Sequence, residues 1–273
     1  MVKLDIGVMV GLHEQPEVGI RKVTDLGLRS CQVSCWDPPA WTERRFGLLA
    51  KAAADLGVEI TTFWAGYSGP RVWDFIDGPR TIGLVPPQYR AGRTEDLKKA
   101  AALAAKFGLP SITTHVGFLP EDPNDPDFPG TVEALKQVAG RCAELGIEFW
   151  FETGQETPVT LLRTIQRVGT GNLGVNFDTG NLILYGKANP VDALDVIGRH
   201  VRGVHAKDGT YPTDGDHLGK ETPLGEGKVN FPVFVPKLKS LGYTGSLTIE
   251  REISGPQQIE DIRKAIDLLT PLC

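Results

Sequence analysis

A short refrain constrains the fold of this chain more than any other feature. Leu26-Gly27-Leu28, Leu56-Gly57-Val58, Phe107-Gly108-Leu109, Leu145-Gly146-Ile147 and Leu241-Gly242-Tyr243 each set one glycine between a helix-like stretch and an apolar run. Glycine adopts the positive-φ conformation that ends an α-helix without steric cost, so the refrain reads as helix, cap, strand, repeated. Following that beat, strands are predicted near residues 4–10, 28–34, 58–64, 111–115, 147–152, 173–177, 201–206 and 245–250. Helix-like stretches between them include 41–56, 94–107, 131–145, 158–168, 190–199 and 256–269, with Thr94, Thr131 and Thr157-Pro158 as helix starts. Strands alternating with helices, and no break in composition, predict an α/β chain forming a single (β/α)8 TIM barrel over 1–273. At 273 residues and 41% hydrophobic, the chain has the length and apolar content to fill one such barrel.

Long segments follow the third strand (65–93) and the seventh (207–230), with a shorter one, 117–130, after the fourth. All three fall on the face where the strands end, and long loops there are commonly lids or binding loops. The first carries Trp73, Phe75 and the arginines Arg71, Arg80, Arg90 and Arg93. A guanidinium suits a phosphate or carboxylate, although exposed loop arginines are common without either. The glycines of Pro223-Leu224-Gly225-Glu226-Gly227-Lys228 lack phosphate-loop spacing and are expected to shape a loop.

Four potential metal ligands stand where predicted strands end: Glu152 in IEFWFETG, Asp178 in LGVNFDTGN, His205 in VRGVHAKDG and Glu250 in GSLTIERE. Each has an ordinary alternative, such as a turn-initiating Asp178 or a hydrogen-bonded core His205. Their joint placement on four consecutive strand ends brings them to one end of the barrel. Three carboxylates and one imidazole suit a single divalent ion, Mn²⁺ above Mg²⁺, Co²⁺ or Zn²⁺ because the set is oxygen-rich with one nitrogen. His13, Trp36, Trp64 and His115 follow or end other strands and are expected at the mouth, where aromatic faces and imidazoles suit a sugar. Glu156 is either a group beside the site or substrate, or a first-turn glutamate favoured by the helix dipole.

Lys+Arg 29 against Asp+Glu 34 gives a net charge of −5, which disfavours a nucleic-acid partner. The opening MVKLDIGVMVG lacks the pattern of a signal peptide, and no run approaches the length of a membrane span. A cytoplasmic protein with no membrane partner is expected. The four cysteines read as free thiols, because Cys31 and Cys35 lie far from Cys142 and Cys273.

The phrases FETG, NFDTGN, VHAKDG, PLGEGKVNF and LTIERE resemble the xylose-isomerase-like barrel superfamily, in particular the sugar phosphate isomerase/epimerase group. That group includes ketose 3-epimerases, hydroxypyruvate isomerase and inosose dehydratase. The resemblance implies that Glu152, Asp178, His205 and Glu250 bind one divalent ion and that Glu152 and Glu250 move a proton beside a carbonyl. It implies a sugar isomerase or epimerase acting on a ketose, keto-sugar or sugar phosphate through an enediolate, and a homo-oligomer. Two positions depart from the epimerase pattern: Asn181 stands where many relatives have histidine, and Lys207-Asp208 follow where an arginine is often found. Asn181 and Lys207 are then expected to bind substrate oxygens. A metal-dependent keto-sugar or keto-inositol dehydratase or lyase is the alternative. A type IV AP endonuclease, with three zinc ions, needs further histidines, and the chain has five in all.

Overall fold

The computed structural model describes residues 3–273. Eight parallel strands close into a barrel: β1 (Ile6–Gly11), β2 (Ser30–Cys35), β3 (Glu59–Ala65), β4 (Ser111–Thr114), β5 (Glu148–Glu152), β6 (Leu173–Asp178), β7 (Val201–Ala206) and, after a two-residue ribbon of β8 (Asp208–Gly209) with β9 (Glu221–Thr222), β10 (Leu247–Ile249). β10 pairs with both β1 and β7, which closes the ring. Around it run α1 (Pro16–Asp25), α2 (Glu43–Leu56), α3 (Gly78–Thr81), α4 (Pro87–Lys106), α5 (Asp127–Glu144), α6 (Pro158–Val168), α7 (Thr179–Leu184), α8 (Pro190–Ile197), α9 (Phe231–Ser240) and α10 (Pro256–Leu269). The predicted α/β barrel is thus the observed one, and all five refrain glycines take positive φ, between 63° and 87°.

Successive strand residues face opposite sides, and here the two sides differ in chemistry. Outward residues such as Val33, Phe63, Ile112, Phe149, Phe151, Val175, Phe177 and Val204 are buried in the apolar layer beneath the helices. The inward row is polar. Gln32 of β2 reaches Asn176 of β6 at 2.8 Å and His205 of β7 at 2.8 Å, across the bore, and Thr62 meets Thr113 at 2.9 Å.

The structure corrects several helix boundaries. α4 begins at Pro87, before Thr94, whose hydroxyl instead donates to the Arg90 carbonyl at 2.8 Å inside the helix. Thr131 is likewise interior, donating to Asp127 O at 2.8 Å. A threonine hydroxyl satisfies itself on the preceding turn as readily as it caps a helix, so residue type alone does not mark the start. Thr157 does cap α6, accepting from the Thr160 N–H. Four helices, α1, α3, α7 and α9, lie outside the predicted stretches. α1 starts at Pro16, after Gln15, which supplies no side-chain cap, and α9 tolerates Pro236 in its interior at the loss of one backbone hydrogen bond.

Arg93 fixes the loop after β3. It is fully buried, donates to the carbonyls of Ser68 (3.0 Å), Gly83 (2.7 Å) and Pro70 (2.7 Å), and lies between the rings of Tyr67 and Tyr89. Arg90 is similarly committed to the Leu84 and Val85 carbonyls. Neither is a free anion-binding group; the apparent loop arginines belong to a helix that begins early. Replacing Arg93 by methionine strands three carbonyls, so Arg93→Met is expected to lower unfolding free energy by about 3 kcal/mol in urea titrations. Exposed Arg80→Ala should change it by less than about 0.5 kcal/mol.

Candidate metal centre and active site

Strand register brings the four ligand candidates together. Asp178 at the end of β6 lies opposite His205 of β7, Glu152 ends β5 beside Asn176, and the Glu250 N–H donates to Ala206 O at 3.1 Å, immediately after β10. Their ligand atoms all lie within 4.8 Å of one another, the one such group of three or more metal-capable side chains among the described residues. His205 Nδ1 sits 3.2 Å from Glu152, 3.5 Å from Asp178 and 3.3 Å from Glu250. Asp178 Oδ2 and Glu250 Oε2 are buried without hydrogen-bond partners. Buried carboxylate oxygens need compensation, and a divalent cation supplies it to both at once, so the donor set fits such an ion.

The surrounding groups hold these side chains still. The Trp64 indole N–H and the Asn181 amide (3.3 Å) donate to Glu152, and Asp178 Oδ1 caps α7 by accepting the Asn181 N–H at 2.6 Å. Lys207 is fully buried, with Nζ 3.3 Å from Glu250, 2.9 Å from Glu252, 3.9 Å from Asp178 and 3.2 Å from Asn181 Oδ1. Asp208 turns away from the site and accepts from the N–H groups of Gly225, Gly227 and Val229, which shapes the glycine-containing loop.

Of the four ligand candidates, Glu152 and Glu250 line a cavity of about 240 Å³, with Asp178 and His205 buried behind them. Drug-sized pockets run from roughly 300 to 1,000 Å³, so this one suits a monosaccharide-sized ligand. Trp36, Trp64, Trp73 and His115 form one wall, with tilted or edge-on ring contacts of 4.4–5.4 Å, and Asn181 and Tyr185 form part of the other. Burial pushes His115 down to about 3, so it is a neutral imidazole. Arg71 stacks its guanidinium on Trp36 at 4.8 Å.

Two expected site residues do not line this cavity. His13 is exposed and lines a neighbouring groove beside α1 and α10 that shares Met9, Ser34, Glu250 and Glu252 with it. Glu156 is 1% exposed, just before the Thr157 cap, with both carboxylate oxygens unpartnered and its carboxyl pushed up to about 8 by burial. It is neither part of the cavity wall nor an exposed first-turn glutamate. Conversely, Trp73, Tyr185 and Glu252 line the cavity without having been singled out. Trp73 had a signal, an aromatic in a long loop at the strand-end face, whereas Tyr185 and Glu252 had none.

Burial pushes Glu152 up to about 8, against the attraction of His205, and Asp178 up to about 6, against Lys207. Burial also opposes the charges of Glu250 and His205, but their neighbours prevail. Lys207 and His205 hold the Glu250 carboxyl well below the usual range, while Glu250 and Glu152 hold His205 well above its own.

The chain belongs to the xylose isomerase-like TIM barrel family, whose model matches residues 20–272. A solved xylose isomerase domain protein from Planctomyces limnophilus is 34% identical, covering 98% of this chain and 97% of that one, with a TM-score of 0.92. An uncharacterized protein of Methanocaldococcus jannaschii is 29% identical over 185 residues, which span 62% of this chain and 58% of that relative's length. A D-psicose 3-epimerase crystallised in the presence of D-fructose shares the fold at 17% identity and a TM-score of 0.73, covering 98% of this chain and 99% of that one.

The protons on Glu152 and His205 compete with a cation for the same atoms. Because both groups are raised, these protons are held at neutral pH and lost as pH rises, so affinity should climb with pH. Titration calorimetry with Mn²⁺ is expected to show a gain approaching about a hundredfold per unit from pH 6, tenfold for each of the two displaced protons, flattening near pH 8, and a steeper loss below pH 6, where Asp178 also protonates. A flat profile would contradict the shared-atom arrangement.

Proposed function

We propose that this protein is a divalent-metal-dependent sugar isomerase or epimerase that abstracts a proton next to a carbonyl of a ketose, keto-sugar or sugar phosphate and passes through an enediolate. The observation that carries the reading is the pairing of two carboxylates, Glu152 and Glu250, at the floor of a monosaccharide-sized cavity, with Glu250 Oε2 free of hydrogen bonds. Glu152, Asp178, His205 and Glu250 would hold the ion, with Mn²⁺ the best match to three oxygens and one nitrogen. When bound, it supplies a Lewis acid that polarises the carbonyl and acidifies the neighbouring C–H.

The protein side chains do the rest. Glu250, kept ionised by Lys207, accepts the proton from carbon, and the electron pair of the C–H bond moves into the enediolate. Glu152, carrying a proton on its free carboxyl oxygen, gives it up from the other face, inverting that carbon, or to the adjacent carbon, interconverting aldose and ketose; exchange with solvent then removes the proton from Glu250 and restores the one on Glu152. Lys207 and Asn181 stabilise negative charge on the enediolate oxygens, and Trp36, Trp64 and Trp73 present ring faces to C–H groups of the sugar while excluding water. The fold shared with a D-psicose 3-epimerase supports this class of reaction.

Elimination is a second reading, favoured by one observation. The Lys207 ammonium stands 3.3 Å from the base Glu250, where it could donate the proton that a departing β-hydroxyl needs to leave as water. Product mass separates the two: unchanged for epimerisation, 18 Da lower for dehydration.

The test is solvent exchange. Metal-loaded protein incubated with a panel of keto-sugars in D₂O should place deuterium beside the carbonyl, and Glu250→Gln should slow this by about 10²–10⁴-fold with little change in KM. Asp178→Asn keeps the α7 cap but should weaken Mn²⁺ retention by at least about tenfold, read by elemental analysis after desalting. Full exchange activity in both variants would overturn the assignment.

A further inference from the structure

We propose that Gln32 and Asn176 are positioning residues that set the tautomer of His205 and so present Nδ1 to the cation, with Gly203 providing the space they need. The inference rests on the metal reading above but concerns residues outside the four ligands. Gln32 is fully buried on β2, on the far side of the bore from β6 and β7. Its Nε2 donates to Asn176 Oδ1 at 2.8 Å, which leaves Oε1 facing His205 Nε2 at 2.8 Å. A carbonyl oxygen only accepts, so Nε2 of His205 must carry hydrogen. In the neutral ring the lone pair then lies on Nδ1, the nitrogen that faces Glu152, Asp178 and Glu250.

The amide pair occupies space that the missing side chain of Gly203 leaves open. A Cβ on Gly203 would collide with Asn176 Oδ1 and come within 3.1 Å of Gln32 Nε2 and 3.0 Å of the Trp150 ring. Gly203 lies two residues before His205 on the same strand, so its missing side chain opens the bore directly beneath the ligand. A hydrogen-bond acceptor on the second nitrogen orients a ligating imidazole and makes it a better donor, and losing such a partner typically costs 10- to 100-fold in metal affinity.

The test compares wild type, Gln32→Met, Gln32→Glu and Gly203→Ala by Mn²⁺ titration, together with ¹⁵N NMR of histidine-labelled, Zn²⁺-loaded protein. In the wild type, His205 should show a protonated Nε2 and a metal-bound Nδ1. Gln32→Met keeps the volume but removes the acceptor, and is expected to weaken Mn²⁺ about 10- to 100-fold and to shift or broaden the Nε2–H signal. Gln32→Glu should rescue affinity to wild-type level or better, because a carboxylate still accepts from Nε2 and Asn176 can turn its unpartnered Nδ2 to meet it. Gly203→Ala should weaken binding in the same direction as Gln32→Met. Wild-type affinity in Gln32→Met, or coordination through Nε2, overturns this role alone. A wild type that binds no divalent ion at any pH overturns the metal reading and this role with it.

Discussion

Three carboxylates forced into one small volume, Glu152 and Asp178 buried and Glu250 partly so, are the constraint around which this molecule is arranged. Two unit charges 4 Å apart interact by about 4 kcal/mol at an effective dielectric of 20, so Glu152, Asp178 and Glu250 are costly neighbours unless positive charge or donors stand among them. His205 occupies the middle of the three, Lys207 lies against two of them, and the Trp64 and Asn181 N–H groups meet Glu152. Glu250 Oε2 and Asp178 Oδ2 face these cationic groups at 3.3–3.9 Å yet complete no hydrogen bond, an arrangement that a divalent cation fits.

A parallel barrel is well suited to gathering these groups because strand ends converge while helices hold the strands apart. Register matters at single-residue resolution. Asp178 stands opposite His205, and a one-residue slip in β7 would turn the imidazole out into the apolar layer. The inward row below the ligands is polar for the same reason. Gln32, Asn176 and the Thr62–Thr113 pair form a hydrogen-bonded floor that fixes side-chain directions where an apolar plug would only fill volume.

The loops convert the centre into a compartment. Arg93 folds the β3 loop by binding three of its carbonyls, and that loop carries Trp73 over the cavity, against Trp36 and His115. The same loop touches the segment after β7 through the Phe75 N–H and Asp216 O at 3.5 Å, and Phe75 meets Tyr185 edge-on. Aromatic walls limit water, which strengthens the electrostatic interactions within. A buried arginine with no carboxylate partner is a demanding choice, and the two flanking tyrosine rings are what make it tolerable.

The alternation of strands and helices, the five positive-φ glycines and the four ligand candidates were legible in the chain because each depends on local chemistry: a backbone conformation only glycine takes freely, or a polar residue ending an apolar strand. Helix starts at Pro87 and Asp127 were not legible, since Thr94 and Thr131 could cap or donate to the preceding turn with equal ease. His13 and Glu156 sit at strand or helix ends just as His115 does, and sequence position does not say which of them face the bore. Tyr185, Glu252 and Gln32 came into view only in three dimensions. The sequence by itself determined the repeating unit and the residues able to bind a cation. Only the tertiary structure decided which atoms meet, because closing the barrel sets contacts between β2, β6 and β7 that no local pattern encodes.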